Sequence, residues 1–166
     1  MGHQWRIDET YIRIAGRWWY AVRAIDEDGQ VIDVYVSPTR DIAAATTCLT
    51  QAVEGTAVTP SSVTTDRAAL YPPMLAAVVP EVMHIRGTME QPRIERNHQQ
   101  LKGRTRSMRG FKTRPCAQVV CQGHGVMRNL RNGFYDLGVP VVTMCLPHGP
   151  RLVHAWDDLT LVLSAA

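Results

Sequence analysis

Three carboxylates stand out by where they fall in the chain. Asp8 lies inside a β-branched and aromatic run from Trp5 to Ile14, Asp66 closes the run Val63-Thr64-Thr65, and Glu95 follows Pro92 at the start of a basic segment. Carboxylates gathered from separate elements repel one another unless a cation joins them. Hard oxygen donors of this kind suit Mg²⁺ or Mn²⁺, which retain waters and leave positions for phosphate oxygens. Two such ions can activate a water or a 3′-hydroxyl on one side and stabilise the departing oxygen on the other. Each acid alone has a plainer reading. Asp66 could end a strand as a turn or cap residue, and Asp8 with Glu9 could form the polar face of an edge strand. Glu95 would be favoured by a helix dipole without any metal. Their coincidence with strand order and local charge favours chemistry.

The charge is sharply uneven. Arg93, Arg96, Lys102, Arg104, Arg106, Arg109, Lys112 and Arg114 share one stretch with a single acid, Glu95, so residues 93–114 carry +7 and the rest of the +3 chain carries −4. A local excess of that size points to a polyanion. A solvated helix face would interleave both signs instead. His98, Gln99, Lys102 and Arg106 follow Glu95 at +3, +4, +7 and +11, which places them on its helical face. The expected DNA-binding set is therefore His98, Lys102, Arg104, Arg106, Arg109 and Lys112, acting on phosphates without reading bases. His98 reads equally well as a structural hydrogen-bonding residue. Gly103 costs about 1 kcal/mol of helix stability, so a bend or an end is expected there.

The elements that must position these groups follow from pattern. Trp5 to Ile14, Arg17 to Ile25 and Val31 to Val36 read as an antiparallel meander, with turns at Ala15-Gly16 and Glu27-Asp28-Gly29. A helix is expected from Asp41, its cap, to Val53, because Ile42, Ala45, Leu49 and Val53 recur at helical spacing. A polar loop from Gly55 to Ser61 precedes the strand 63–65. The apolar stretch Ala68 to Val79 should start late or kink at Pro72-Pro73. A fifth short strand, Val82 to Ile85, and helices near 92–104 and 114–130 complete the order. A strand, a helix and a further strand in one sheet pair in parallel. Strands one and four should be neighbours, which would bring Asp8 and Asp66 together.

Composition removes several classes. With 45% hydrophobic and 20% charged residues, the 166-residue chain suits one globular domain. No apolar run approaches the roughly 18 residues of a membrane span. The first residues lack the apolar stretch of a signal peptide, so a cytoplasmic address is expected. Cys48, Cys116, Cys121 and Cys145 show no CxxC spacing, so free buried thiols are expected rather than metal ligands.

The motifs carry a family resemblance. Trp5-Arg6-Ile7-Asp8-Glu9-Thr10-Tyr11, Gly16-Arg17-Trp18-Trp19-Tyr20, Thr65-Asp66-Arg67-Ala68, Ile94-Glu95-Arg96-Asn97-His98 and Gly110-Phe111-Lys112 resemble the catalytic core of bacterial insertion-sequence transposases of the DDE class. The resemblance implies an α/β fold, a ribonuclease-H-like mixed five-stranded sheet flanked by helices. It implies that Asp8, Asp66 and Glu95 form the catalytic triad, binding two Mg²⁺ or Mn²⁺ ions. The implied chemistry is hydrolytic nicking at element ends, then attack of the freed 3′-hydroxyl on target DNA. The implied partners are those DNAs and a second copy of the chain in a homodimer, with no membrane and no small-molecule substrate. Three departures accompany it: only 28 residues separate Asp66 from Glu95, Pro92 replaces a polar residue, and Asn97 stands where Asp is common.

Residues 1–138 are expected to form the core and 139–166 a C-terminal tail. Family members carry an upstream DNA-recognition segment, and this chain starts almost at Asp8, so a truncated copy is expected. Two other readings compete: a different ribonuclease-H-like nuclease, and a non-catalytic DNA-binding or dimerisation remnant.

Overall fold

A computed structural model describes residues 1–87, 99, 101–103, 105–106 and 109–135. Two compact units divide the chain, Met1–Gly125 and Val126–Ala166. The expected boundary at 138 lies outside the described residues.

The first unit is built on a five-stranded sheet. Strands β1 (Gln4–Ile14), β2 (Arg17–Asp26) and β3 (Val31–Ser37) form the meander. Ala15 and Gly16 turn the first hairpin with φ of 47° and 79°, the left-handed pair that a two-residue hairpin loop requires. The buried Asp26 carboxylate accepts from the backbone N–H groups of Gly2, Asp28 and Gln30, which fixes the second turn. Strands β4 (Ser62–Thr65) and β5 (Met83–Arg86) add in parallel, giving the order β3-β2-β1-β4-β5. β1 is thus the central strand, but its pairing with β4 covers only Gln4 to Arg6, so Asp8 and Glu9 lie just past that ladder and pair with β2.

Helix α1 (Ile42–Thr56) begins where expected, with the Asp41 carboxylate accepting from the Ala44 N–H at 2.8 Å. It runs past Val53 because Gly55 stays helical, and it stops at Ala57 in the left-handed region, φ 53°. Helix α2 (Tyr71–Val78) takes the late start, with Pro72 and Pro73 in its first turn, where their missing N–H groups cost nothing. Helix α3 (Arg114–Asn132) is the last element among the described residues.

The alternation of β1 divides the core. Trp5 and Ile7 face α1 and α2 with Val22, Leu49, Met74 and Leu75. Ile12 and Ile14 face the other way, packing with Leu101, Phe111 and the α3 residues Ala117 and Cys121. α3 also serves the edge strand β3. Gln118 accepts from Val36 N–H at 2.7 Å and donates to Val34 C=O, while Arg114 donates to Val36 C=O at 3.0 Å. These side chains satisfy backbone groups that an open edge would leave unpaired. Among the described residues, no helix is long and apolar enough to cross a membrane.

Cys48, Cys116 and Cys121 are free thiols. Cys48 and Cys121 are buried as expected; burial pushes the Cys48 thiol far up and the Cys121 thiol up to about 11. Cys116 is the exception, exposed on the outer side of α3. Cys145 lies outside the described residues.

Candidate active site

The sheet brings two of the expected acids to one level. The parallel β1–β4 ladder pairs Gln4 with Ser62 and Arg6 with Thr64. Asp8 and Asp66 each stand two residues further along, at the carboxyl end of the β4 pairing. Ligands in sheets with parallel strands characteristically bind outside the carboxyl ends of those strands. Both aspartates are half-buried. Arg23, only 2% exposed, is the cross-strand partner of Asp8 in the antiparallel β1–β2 ladder, so a buried cation shares that face of the sheet.

Thr65, the residue before Asp66, is anchored on both sides. Its C=O accepts from Gly87 N–H at 3.2 Å, and its hydroxyl is hydrogen-bonded to His84 Nε2 at 2.8 Å. Burial, then the nearby Arg86 charge, lowers the His84 imidazole below its ordinary value. Asp66 closes a local turn, its Oδ1 accepting from Ala68 N–H at 2.8 Å. Its second oxygen, Oδ2, accepts from Arg40 Nη2 at 2.7 Å.

Arg40 reaches further. Its Nε and Nη2 donate to Glu9 Oε2 at 3.1 and 3.0 Å. Glu9 follows Asp8 in sequence, so strand alternation points it to the opposite face, beside α2. There its side chain is 8% exposed and lies against the buried Tyr71. Burial first, then the Glu9 charge, pushes the Tyr71 phenol far above its ordinary value. The hydrogen bond from Arg40 to Glu9, with the charges of both carboxylates, strengthens the guanidinium's hold on its proton. The loop before α1 fixes Arg40 in turn: Thr39 Oγ1 donates to Asp41 Oδ2 at 2.6 Å while Asp41 caps the helix. Neither Glu9 nor Arg40 belongs to the expected site. Glu9 was legible in one respect, since an acid two residues after Trp5-x-Ile7 falls on the apolar side of the strand.

Glu95, His98 and Arg104 lie outside the described residues. Lys102, Arg106, Arg109 and Lys112 are exposed. Residues 101–103, 105 and 106 are helical, and the expected bend or end just after Gly103 falls on residue 104, outside the described residues. Among the described residues, no three His, Cys, Asp or Glu side chains converge as a metal-binding group. The Gly110-Phe111 motif has a structural role: Phe111 N–H donates to Arg13 C=O and Phe111 C=O accepts from Ala15 N–H, both at 2.8 Å. The basic segment is thereby tied to the far end of β1.

The family profile of the IS240-type transposase DDE domain matches residues 2–134. The chain belongs to this DDE-domain transposase family. Among its relatives are the transposases of the insertion-sequence-like element IS431mec and of IS257 in transposon Tn4003, both from Staphylococcus aureus. Each is 51% identical over 39 residues, 24% of this chain and 17% of the relative. The matched stretch therefore spans less than a fifth of those proteins.

Solved structures of similar fold are integrase cores. The HTLV-2 integrase catalytic core domain in complex with magnesium aligns with a TM-score of 0.50 and 17% identity, over 61% of this chain and 68% of that one. The BIV integrase catalytic core aligns with a TM-score of 0.50 and 18% identity, over 66% and 72%. At this identity the likeness establishes the fold. The expected ribonuclease-H-like mixed sheet with flanking helices is the fold of this DDE domain.

Proposed function

We propose that this DDE domain is a transposase catalytic core that nicks DNA and transfers the freed strand, using divalent metal ions. The placement of Asp8 on β1 and of Asp66 one residue past the end of its parallel neighbour β4, each two residues beyond the Arg6–Thr64 pair, carries the reading. Two half-buried aspartates offer hard oxygen donors, the ligand type that Mg²⁺ and Mn²⁺ take. Asp8 and Asp66, with Glu95 as the third member of the family's pattern, would hold the two ions. Bound there, such ions supply activation of the attacking oxygen and charge stabilisation of the departing one. In each step a water or a 3′-hydroxyl forms the new P–O bond as the old P–O3′ bond breaks, with no covalent enzyme intermediate. Lys102, Arg104, Arg106, Arg109 and Lys112, with His98, would hold the DNA backbone of element ends and target. A homodimer acting in the cytoplasm completes the reading.

The test is nicking of supercoiled plasmid in Mg²⁺ or Mn²⁺ by the wild-type chain and by Asp8→Asn, Asp66→Asn and Glu95→Gln. Each variant should lose at least about a hundredfold in rate, the scale on which catalytic groups act, while melting close to the wild type. Full nicking by Asp66→Asn would overturn the assignment. DNA binding without nicking by the wild type would favour a non-catalytic remnant.

A further inference from the structure

The β1–β2 hairpin carries aromatic rings that its fold does not bury. Tyr11 is 55% exposed and Trp18 63% exposed. They form a ladder across the two strands. Tyr11 is paired with Tyr20 at 5.2 Å between ring centres, and Trp18 stands edge-on to Tyr11 at 6.5 Å. Arg13, directly opposite Trp18, lays its guanidinium over the indole at 5.6 Å. The β1–β4 ladder ends at Arg6, so this part of β1 runs on beyond it. A cavity of about 870 Å³ opens there between the hairpin and the helical residues of the basic segment. Its lining includes Tyr11, Trp18, Arg13, Lys102, Arg106 and Arg109 and, among the described residues, no acid.

We propose that this groove binds an unpaired DNA strand, its bases stacked on Trp18 and Tyr11 and its phosphates held by Arg13, Lys102, Arg106 and Arg109. Aromatic platforms beside a cationic track are what single strands require, because every unpaired base offers a π-face whatever its identity. In a duplex those faces are closed by neighbouring base pairs, so the exposed rings add nothing to duplex binding. Four cations on one groove fit a polyanion and disfavour an apolar protein segment as occupant. The position suits the chemistry proposed above, on which this inference rests. Tyr11 stands three residues beyond Asp8 on β1, about 10 Å along the strand and, by alternation, on its other face. β1 has no β4 partner beyond Arg6, so a strand end freed by a nick would pass round that open edge to reach the groove.

The test measures fluorescence anisotropy of a labelled 12-nucleotide oligo(dT) and of a 12-base-pair duplex, using the full chain in EDTA so that nothing is cut. Trp18→Ala and Tyr11→Ala should each weaken oligo(dT) binding by about tenfold and duplex binding by less than twofold, and Trp18→Phe should restore most of the loss. Circular-dichroism melts confirm that the variants fold. Oligo(dT) affinity absent from the wild type, unchanged in both alanine variants, or lost in step with duplex affinity would overturn the proposal. So would a dimer that Trp18→Ala splits without moving oligo(dT) binding, which would give the rings to a second copy. Plasmid nicking by the wild type is scored separately. Its absence alongside Trp18-dependent strand binding would sink the catalytic reading and leave the groove standing.

Discussion

Arg40 holds Asp66 at 2.7 Å with the same nitrogen that it gives to Glu9 at 3.0 Å. The cation therefore occupies one carboxylate oxygen of Asp66, a proposed metal ligand, while its other bonds tie it to the buried Glu9 carboxylate. A unit charge about 5 Å from a divalent ion costs about 1.7 kcal/mol even at the dielectric constant of water. Arg40→Gln, which keeps a donor but drops the charge, should therefore bind Mn²⁺ about tenfold more tightly at low salt. Calorimetric titration without DNA checks this. Equal affinity in the two proteins would show that the metal is bound beyond the reach of the Arg40 charge.

Tyr71 gives a pH dependence whose sign is fixed. Its folded phenol is raised above the ordinary value of about 10 by burial and by Glu9. Above that pH the unfolded chain releases the proton and the folded chain retains it. The contribution to stability is complete below about pH 10 and falls as pH rises, by about 1.4 kcal/mol per pH unit for one group. Tyr71→Phe should remove this component, so its melting temperature should fall less steeply than the wild type's between pH 9 and 11. Parallel curves would mean that the phenol ionises in the folded state as easily as in the unfolded one.

Local signals explain what was legible before the fold was known. Asp41 reads as a helix cap because its carboxylate needs only the N–H three residues on. The Pro72-Pro73 pair delays α2 because proline is tolerated only in a first turn. The pairing of β1 with β4 follows from the parallel rule and places Asp8 level with Asp66. The Arg40 bridge was not legible. It joins residues 31 and 26 positions apart through side chains of a loop, a strand and a turn, and no periodicity encodes such a contact. The exposed ladder of Tyr11, Trp18 and Tyr20 was missed for a related reason. A strand rich in aromatics normally announces core, and only the short β1–β4 ladder shows that this end of the hairpin runs on past its partner.

The basic segment should give a measurable salt dependence. Lys102, Arg106, Arg109 and Lys112 are all exposed. If each neutralises one phosphate, log affinity for duplex DNA should fall against log salt with a slope of about −4. Reversing Lys112 and Arg106 to Glu should make that slope shallower by roughly two or more and weaken binding equally on unrelated sequences. A slope near zero, or variants that bind as the wild type does, would remove this face from the DNA interface.

Two glycines separate backbone strain from steric contact. Gly16 and Gly110 both adopt left-handed backbone, with φ of 79° and 82°. A Cβ on Gly16 would meet nothing within 4 Å, whereas one on Gly110 would lie 3.1 Å from the Arg13 carbonyl oxygen. Gly16→Ala should therefore cost only the left-handed penalty, about 1 kcal/mol. Gly110→Ala adds a close contact at the carbonyl that accepts from Phe111 N–H, so it must loosen the tether between the basic segment and β1. Its cost should be larger, about 2–3 kcal/mol. Its effect should also be local, with faster amide exchange at Phe111 and Ala15, the two donors of the tether. Urea melts of both variants with hydrogen exchange at those amides form the test. Equal destabilisation with unchanged exchange at Phe111 would mean that the loop absorbs the methyl group by moving as a unit, and that the tether plays no part in holding the cationic face against the sheet.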